Sequence, residues 1–149
     1  MHILFKQNNT FFCVDEKYVE MFVLSKNFYN FAMTPNFISG FENIKGEIYP
    51  VIDLHGFISN SNHEEKEYLI KLTQPLSILL YSTIRPNIIE ILDTVQKTKV
   101  DSDLKTICDF NFRIENNIIY NLNMGKLENI LKDYQKNIYI GDSYDKESF

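Results

Sequence analysis

Short apolar runs separated by polar or turn-forming residues recur along the whole chain. The first two, HILFK and TFFCV, flank Gln7-Asn8-Asn9. Asparagine tolerates the positive φ of a tight turn, so the chain is expected to open with a β-hairpin. YVEMFVL, from Tyr18 to Leu24, is β-branched and aromatic and predicts a strand, followed by a loop over Ser25 to Asn30. From Phe37, Gly40 and Gly46 punctuate two further apolar runs. Pro50 lacks an N–H, which predicts that Glu47 to Asp53 is an edge strand or bends near the proline. The polar stretch SNSNHEEKE, Ser59 to Glu67, is the clearest internal loop, and the segment near 58–67 is expected to divide two lobes.

Beyond it, EYLIKL and LSILLYST flank Thr73-Gln74-Pro75 as a second hairpin, and the dense Leu/Ile content of its second arm predicts a strand buried on both faces. Arg85-Pro86-Asn87 breaks the chain before IIEIL, and Lys97 to Lys105 reads as another polar loop. FNFRIE and IIYNLN form a third hairpin about Asn116-Asn117. Only Met124 to Tyr134 has helical apolar spacing, with Leu127, Ile130 and Leu131 on one face. The polar tail over 134–149 is expected to be partly disordered. Nine or ten short strands and one terminal helix, without internal repeats, indicate an all-β barrel or sandwich.

The 149 residues suffice for one domain, or two small lobes sharing a core, and the 44% hydrophobic, 23% charged composition is that of a globular protein. A net charge of −5 argues against a nucleic-acid partner, which would require a basic footprint. MHILFKQNNTFF lacks the apolar core and cleavage site of a signal peptide, and the apolar stretch around LSILLY falls well short of the roughly 20 residues that span a bilayer. A cytoplasmic protein without membrane insertion is expected.

The chemistry-bearing residues do not converge. Cys13 and Cys108 stand far apart in apolar runs, without metal or redox spacing, and read as buried thiols. His2, His55 and His63 share no ligand spacing, and Glu64, Glu65 and Glu67 alternate with Lys66 in a solvated loop. Asp53 lies between Ile52 and Leu54 in an apolar strand, where its carboxylate is expected to cap the backbone N–H groups of the following His55-Gly56-Phe57 turn. Neither GxGxxG, a P-loop nor GxSxG occurs, so no catalytic residue, cofactor or metal is expected.

One stretch is specific. TPNFISGFENIKGEIYPVIDL, Thr34 to Leu54, resembles the signature of the CheW-like family: a proline, an apolar pair and a glycine, then Asn-Leu-Arg-Gly, Pro-Val and Ile-Asp-Leu. Pro35, Phe37, Ile38, Gly40, Asn43, Gly46, Ile48, Pro50, Val51, Ile52, Asp53 and Leu54 fall on it, and the resemblance extends over about residues 2–133. It implies two small five-stranded β-barrels packed side by side with a short C-terminal helix. It also implies a non-catalytic adaptor linking the cytoplasmic hairpin tips of chemoreceptors to the regulatory domain of the histidine kinase CheA, in arrays at the inner face of the membrane. The receptor hairpin would occupy the groove between the barrels, and the kinase one barrel end.

Carried over position by position, the resemblance implies that Val19 borders the receptor groove, that a larger side chain at Gly40 would crowd it, and that Lys45 takes the place of the arginine in Asn-Leu-Arg-Gly, beside Asn43. Phe22, Ile44 and Ile48 would add apolar contacts. Lys45 cannot make the bidentate contact of a guanidinium. Met21 stands where the family usually has an acidic residue at the presumed kinase face, and Tyr81-Ser82 replaces a Val-Asp pair. Two alternatives stand beside the adaptor: a CheW-like module that keeps one partner or serves another signalling system, and an unrelated small barrel binding a ligand or nucleic acid through Lys97, Lys99 and Lys105.

Overall fold

The computed structural model describes residues 1–26, 28–30, 34–59 and 67–134. The opening hairpin is present as β1 (His2–Gln7) and β2 (Thr10–Asp15). Asn8 and Asn9 take φ of 49° and 60° in the two-residue loop, the geometry that matches strand twist and that asparagine tolerates. The chain then forms β3 (Val19–Leu24), the two-residue β4 (Phe28–Tyr29), β5 (Ile38–Ile44) and β6 (Glu47–Ile52). Next come β7 (Tyr68–Leu72), β8 (Leu79–Ser82) and β9 (Asn87–Ile89). β10 (Gln96–Lys99), β11 (Cys108–Ile114) and β12 (Asn117–Leu122) lead into helix α1 over 124–134. Asn123 caps α1 by accepting the Lys126 N–H at 3.0 Å.

The strands form two six-stranded sheets. The first runs β10-β11-β12-β2-β1-β9 and the second β3-β7-β8-β6-β5-β4. The sheets hold six strands each, one more than the resemblance implies, because each carries a very short edge strand, β9 in one and β4 in the other. The chain passes between sheets after β2 and after β8. The polar segment near 58–67 therefore connects β6 to β7 within one sheet, and its residues 60–66 lie outside the described ones, as does the tail beyond Tyr134.

Four local readings change. The segment Ser25 to Asn30 contains β4, and the stretch Lys97 to Lys105 contains most of β10 and a 3-10 turn, Asp103–Thr106. All four residues of β10 are exposed, so no apolar alternation marks it in sequence. β6 is an interior strand: it pairs along its length with β5, but with β8 only through Val51 and Ile52. Pro50 thus sits just outside the parallel ladder, where its missing N–H costs nothing. The third hairpin turns on Glu115-Asn116, one residue earlier than expected, which pairs the buried Phe112 with the buried Ile119. A one-residue slip in this pairing would put the two on opposite faces of the sheet.

Burial follows the two sides of each sheet. Ile3, Phe5, Phe12 and Val14 of the first sheet meet Ile52, Ile70, Leu72 and Leu80 of the second in one shared core, closed by Leu127 of α1. On its other side the second sheet curls around Tyr49, Val51, Leu69, Leu79 and Tyr81, and the first around Cys13, Phe112 and Ile119. All four residues of β8 are buried because Leu80 faces the shared core while Leu79 and Tyr81 face the local one. Both cysteines are buried free thiols, and burial pushes the Cys108 thiol up to about 12.

Candidate interaction sites

A polar seam fixes how the sheets meet. Gln7, fully buried at the end of β1, donates to the carbonyls of Tyr81 (2.8 Å) and Ile52 (3.1 Å), and its Oε1 accepts the Leu54 N–H at 2.9 Å. The Lys6 N–H donates to Ser82 Oγ at 3.1 Å, and the Thr83 N–H donates to the Lys6 carbonyl at 2.9 Å. Ser82 Oγ also donates to the Ile84 carbonyl at 2.6 Å. Asp53 caps the turn that follows it, as expected, accepting the His55 N–H at 3.0 Å, and it also accepts from Asn8 Nδ2 of the opposite sheet at 2.8 Å. Burial holds its carboxyl above the ordinary carboxylate range, against the opposing pull of these hydrogen bonds.

The seam anchors the crossover from β8 to β9, and the crossover borders a groove. A cavity of about 430 Å³ lies between Phe22, Val23 and Leu24 of β3, Glu67 to Leu69 at the start of β7, and Arg85-Pro86. Val23 packs inward on the local core, so by strand alternation Phe22 and Leu24 face out, 48% and 53% exposed. Among the described strands β3 lies at the edge of its sheet and pairs with β7 alone. An apolar wall on an open edge is unusual in a monomer.

A second, smaller hollow of about 270 Å³ opens between β3 and the β5–β6 turn, lined by Glu20, Met21, Ile44, Lys45, Glu47, Tyr49 and Lys71. Lys71 pairs with Glu20 at 3.2 Å, lies 4.7 Å from the Tyr49 ring centroid, and is held above its ordinary pKa by the Tyr49 hydroxyl and by Glu20. The Tyr49 hydroxyl in turn donates to the Glu47 carboxylate. Lys45 and Gly46 form the turn at φ of 53° and 89°, braced by Asn43 Oδ1 accepting the Gly46 N–H at 2.9 Å.

The residues singled out from sequence therefore separate. Phe22 lines the groove, while Met21, Ile44 and Lys45 share the second hollow, with Ile48 exposed on the adjoining strand. Val19 is half-buried against the shared core. Gly40 is buried, and a Cβ there would strike the Phe28 ring and approach the Tyr29 carbonyl oxygen to 2.6 Å, so the crowding falls on β4 and not on an open groove. Leu24, Tyr68 and Arg85 were not singled out from sequence. The alternation of YVEMFVL could have flagged Leu24, but only the three-dimensional crossover brings Arg85 to it.

The described histidines stay apart, His2 edge-on to Phe112 and His55 at the seam, and His63 lies outside the described residues. Among the described residues no group of three or more His, Cys, Asp or Glu side chains could hold a metal. No helix among them is long and apolar enough to cross a membrane. Lys97, Lys99 and Lys105 spread over β10 and the 3-10 turn, with Lys97 Nζ 5.8 Å from the ring centroids of both Phe110 and Phe112.

No protein-family model matches the chain, and no curated protein matches it in sequence. Among solved structures, the scaffolding protein TtCheW from Thermoanaerobacter tengcongensis superposes with a TM-score of 0.64 at 17% identity, covering 83% of this chain and 88% of that one. The likeness is one of fold: a mostly β, two-sheet, CheW-like architecture closed by a short C-terminal helix.

Proposed function

We propose that this chain is a non-catalytic, cytoplasmic adaptor in which one CheW-like domain of two lobes couples a chemoreceptor's helical hairpin tip to the regulatory domain of the histidine kinase CheA. The observation that carries the reading is the open apolar wall of Phe22 and Leu24 beside the crossover between sheets, on a fold shared with a scaffolding protein. A helix docks by laying an apolar face on such a wall, and this needs no titrating machinery. The hollow holding Met21, Ile44 and Lys45 is the proposed kinase contact, a separate surface that leaves the groove free for the receptor. Asn43 and Gly40 act indirectly in this reading, one by bracing the turn that carries Lys45 and the other by letting β4 close on β5.

A second reading is a module with one remaining partner. It is favoured by Lys45 and Met21, which replace the guanidinium and the carboxylate at the presumed contacts. Calorimetric titration of the purified chain against the CheA regulatory domain and, separately, a receptor cytoplasmic fragment from the same cell distinguishes the two. Binding to both is expected. Binding to one alone selects the second reading, and binding to neither overturns both. Lys45→Arg and Met21→Glu are expected to strengthen only the kinase arm.

A further inference from the structure

The groove is not uniformly apolar. Arg85 stands exposed at its lip, on the one segment that leaves β8 for the other sheet. Its backbone is held from both sides. Ser82 and Thr83 tie the preceding turn to Lys6, the following Pro86 fixes φ, and Asn87 pairs with Leu4. The backbone that carries the guanidinium is thus fixed with Phe22 and Leu24 across the groove, and a guanidinium suits a planar anion carried by an apolar ligand. No described residue forms an ion pair with it, and Glu67, which lines the same groove, is no exception. The only other arginine, Arg113, lies in β11 of the opposite sheet.

We infer that Arg85 is the charged anchor of the groove, and that the helix seated there turns an apolar stripe to Phe22 and Leu24 and a carboxylate at the border of that stripe to Arg85. The inference rests on the reading of the groove as a helix site and adds the partner's chemistry. Charge complementarity selects the partner: Arg85 is the one cation and Glu67 the one anion among the described residues that line the groove, so a helix that sets its carboxylate at Arg85 is admitted and one that sets a lysine there is disfavoured.

The test titrates the isotope-labelled full chain with three synthetic helical hairpins that share one leucine-rich face and differ at a single border position, Glu, Gln or Lys. The Glu hairpin is expected to bind about five-fold more tightly than the Lys hairpin, and the gap should shrink in about 0.5 M salt. Arg85→Glu should invert the order, while Arg85→Lys should keep it with a smaller gap because the planar fork is lost. Equal affinities, or preference for the Lys hairpin, overturn the assignment of Arg85. If the Phe22, Leu24 and Tyr68 resonances still shift in that case, the groove reading survives alone. No shift of those resonances with any hairpin overturns both.

Discussion

The seam and the groove adjoin each other, yet they treat exposed and polar groups in opposite ways. At the seam Gln7 is fully buried and satisfied by Ile52, Tyr81 and Leu54, so every polar atom of its amide has a protein partner. At the groove Phe22 and Leu24 are about half exposed, and Arg85 has no charged partner among the described residues. A buried polar group is costly to orphan, whereas an exposed apolar one contributes little to folding. Polar satisfaction and apolar exposure are thus carried by different side chains, and the closed region holds the open one in shape.

Substitutions can break this division. Gln7→Ala has the largest expected effect: it orphans the Leu54 N–H and two carbonyls at once, and should lower unfolding free energy by about 3 kcal/mol in urea titration, with any groove binding lost only through unfolding. Gly40→Val tests another closed contact on the same sheet as the groove. Displacing the Phe28 ring and pushing β4 back at the Tyr29 carbonyl should cost about 2 kcal/mol by the same measurement.

Asp53→Asn sharpens the comparison through pH. The folded state holds the Asp53 carboxyl above its ordinary value, so over that window it binds more protons than the unfolded chain. Stability contributed by this group is therefore greatest below the ordinary carboxylate range and falls as pH rises through the raised value. The asparagine variant keeps an oxygen to accept from His55 and Asn8, and its urea midpoints should show a flatter decline as pH rises from the ordinary carboxylate range through the raised one. Phe22→Ser, at the open end, should change stability by less than about 0.5 kcal/mol while abolishing hairpin binding in the calorimeter.

Much of the fold was legible because the strands that pack the core carry apolar runs, and because Asn8-Asn9 and Lys45-Gly46 carry turn chemistry. The elements that escaped have no core to pack against. β4 is two residues long and β10 fully exposed, so neither leaves a periodic trace. The site was half legible for a related reason. Phe22 and Met21 are adjacent in sequence but serve different hollows, since strand neighbours face opposite ways. Arg85 joins Phe22 across more than sixty residues, a proximity that exists only once β1 has fixed the crossover.

One consequence concerns the order in which the chain is made. The second sheet uses only residues from Val19 to Ser82, so all its strands emerge as a contiguous block. The first sheet cannot close in that order, because β12, next to last in the described chain, slots in parallel beside β2 and separates it from β11. During synthesis Phe5, Phe12 and Val14 of the opening hairpin can meet the second sheet once β8 is made, but the β2 edge and Cys13 on the other side lack Phe112, Ile119 and their strands until β11 and β12 arrive. A ribosome that stalls before residue 117 therefore leaves β2 as an unpaired edge, which makes the opening hairpin the part of the nascent chain most exposed to pairing with another chain.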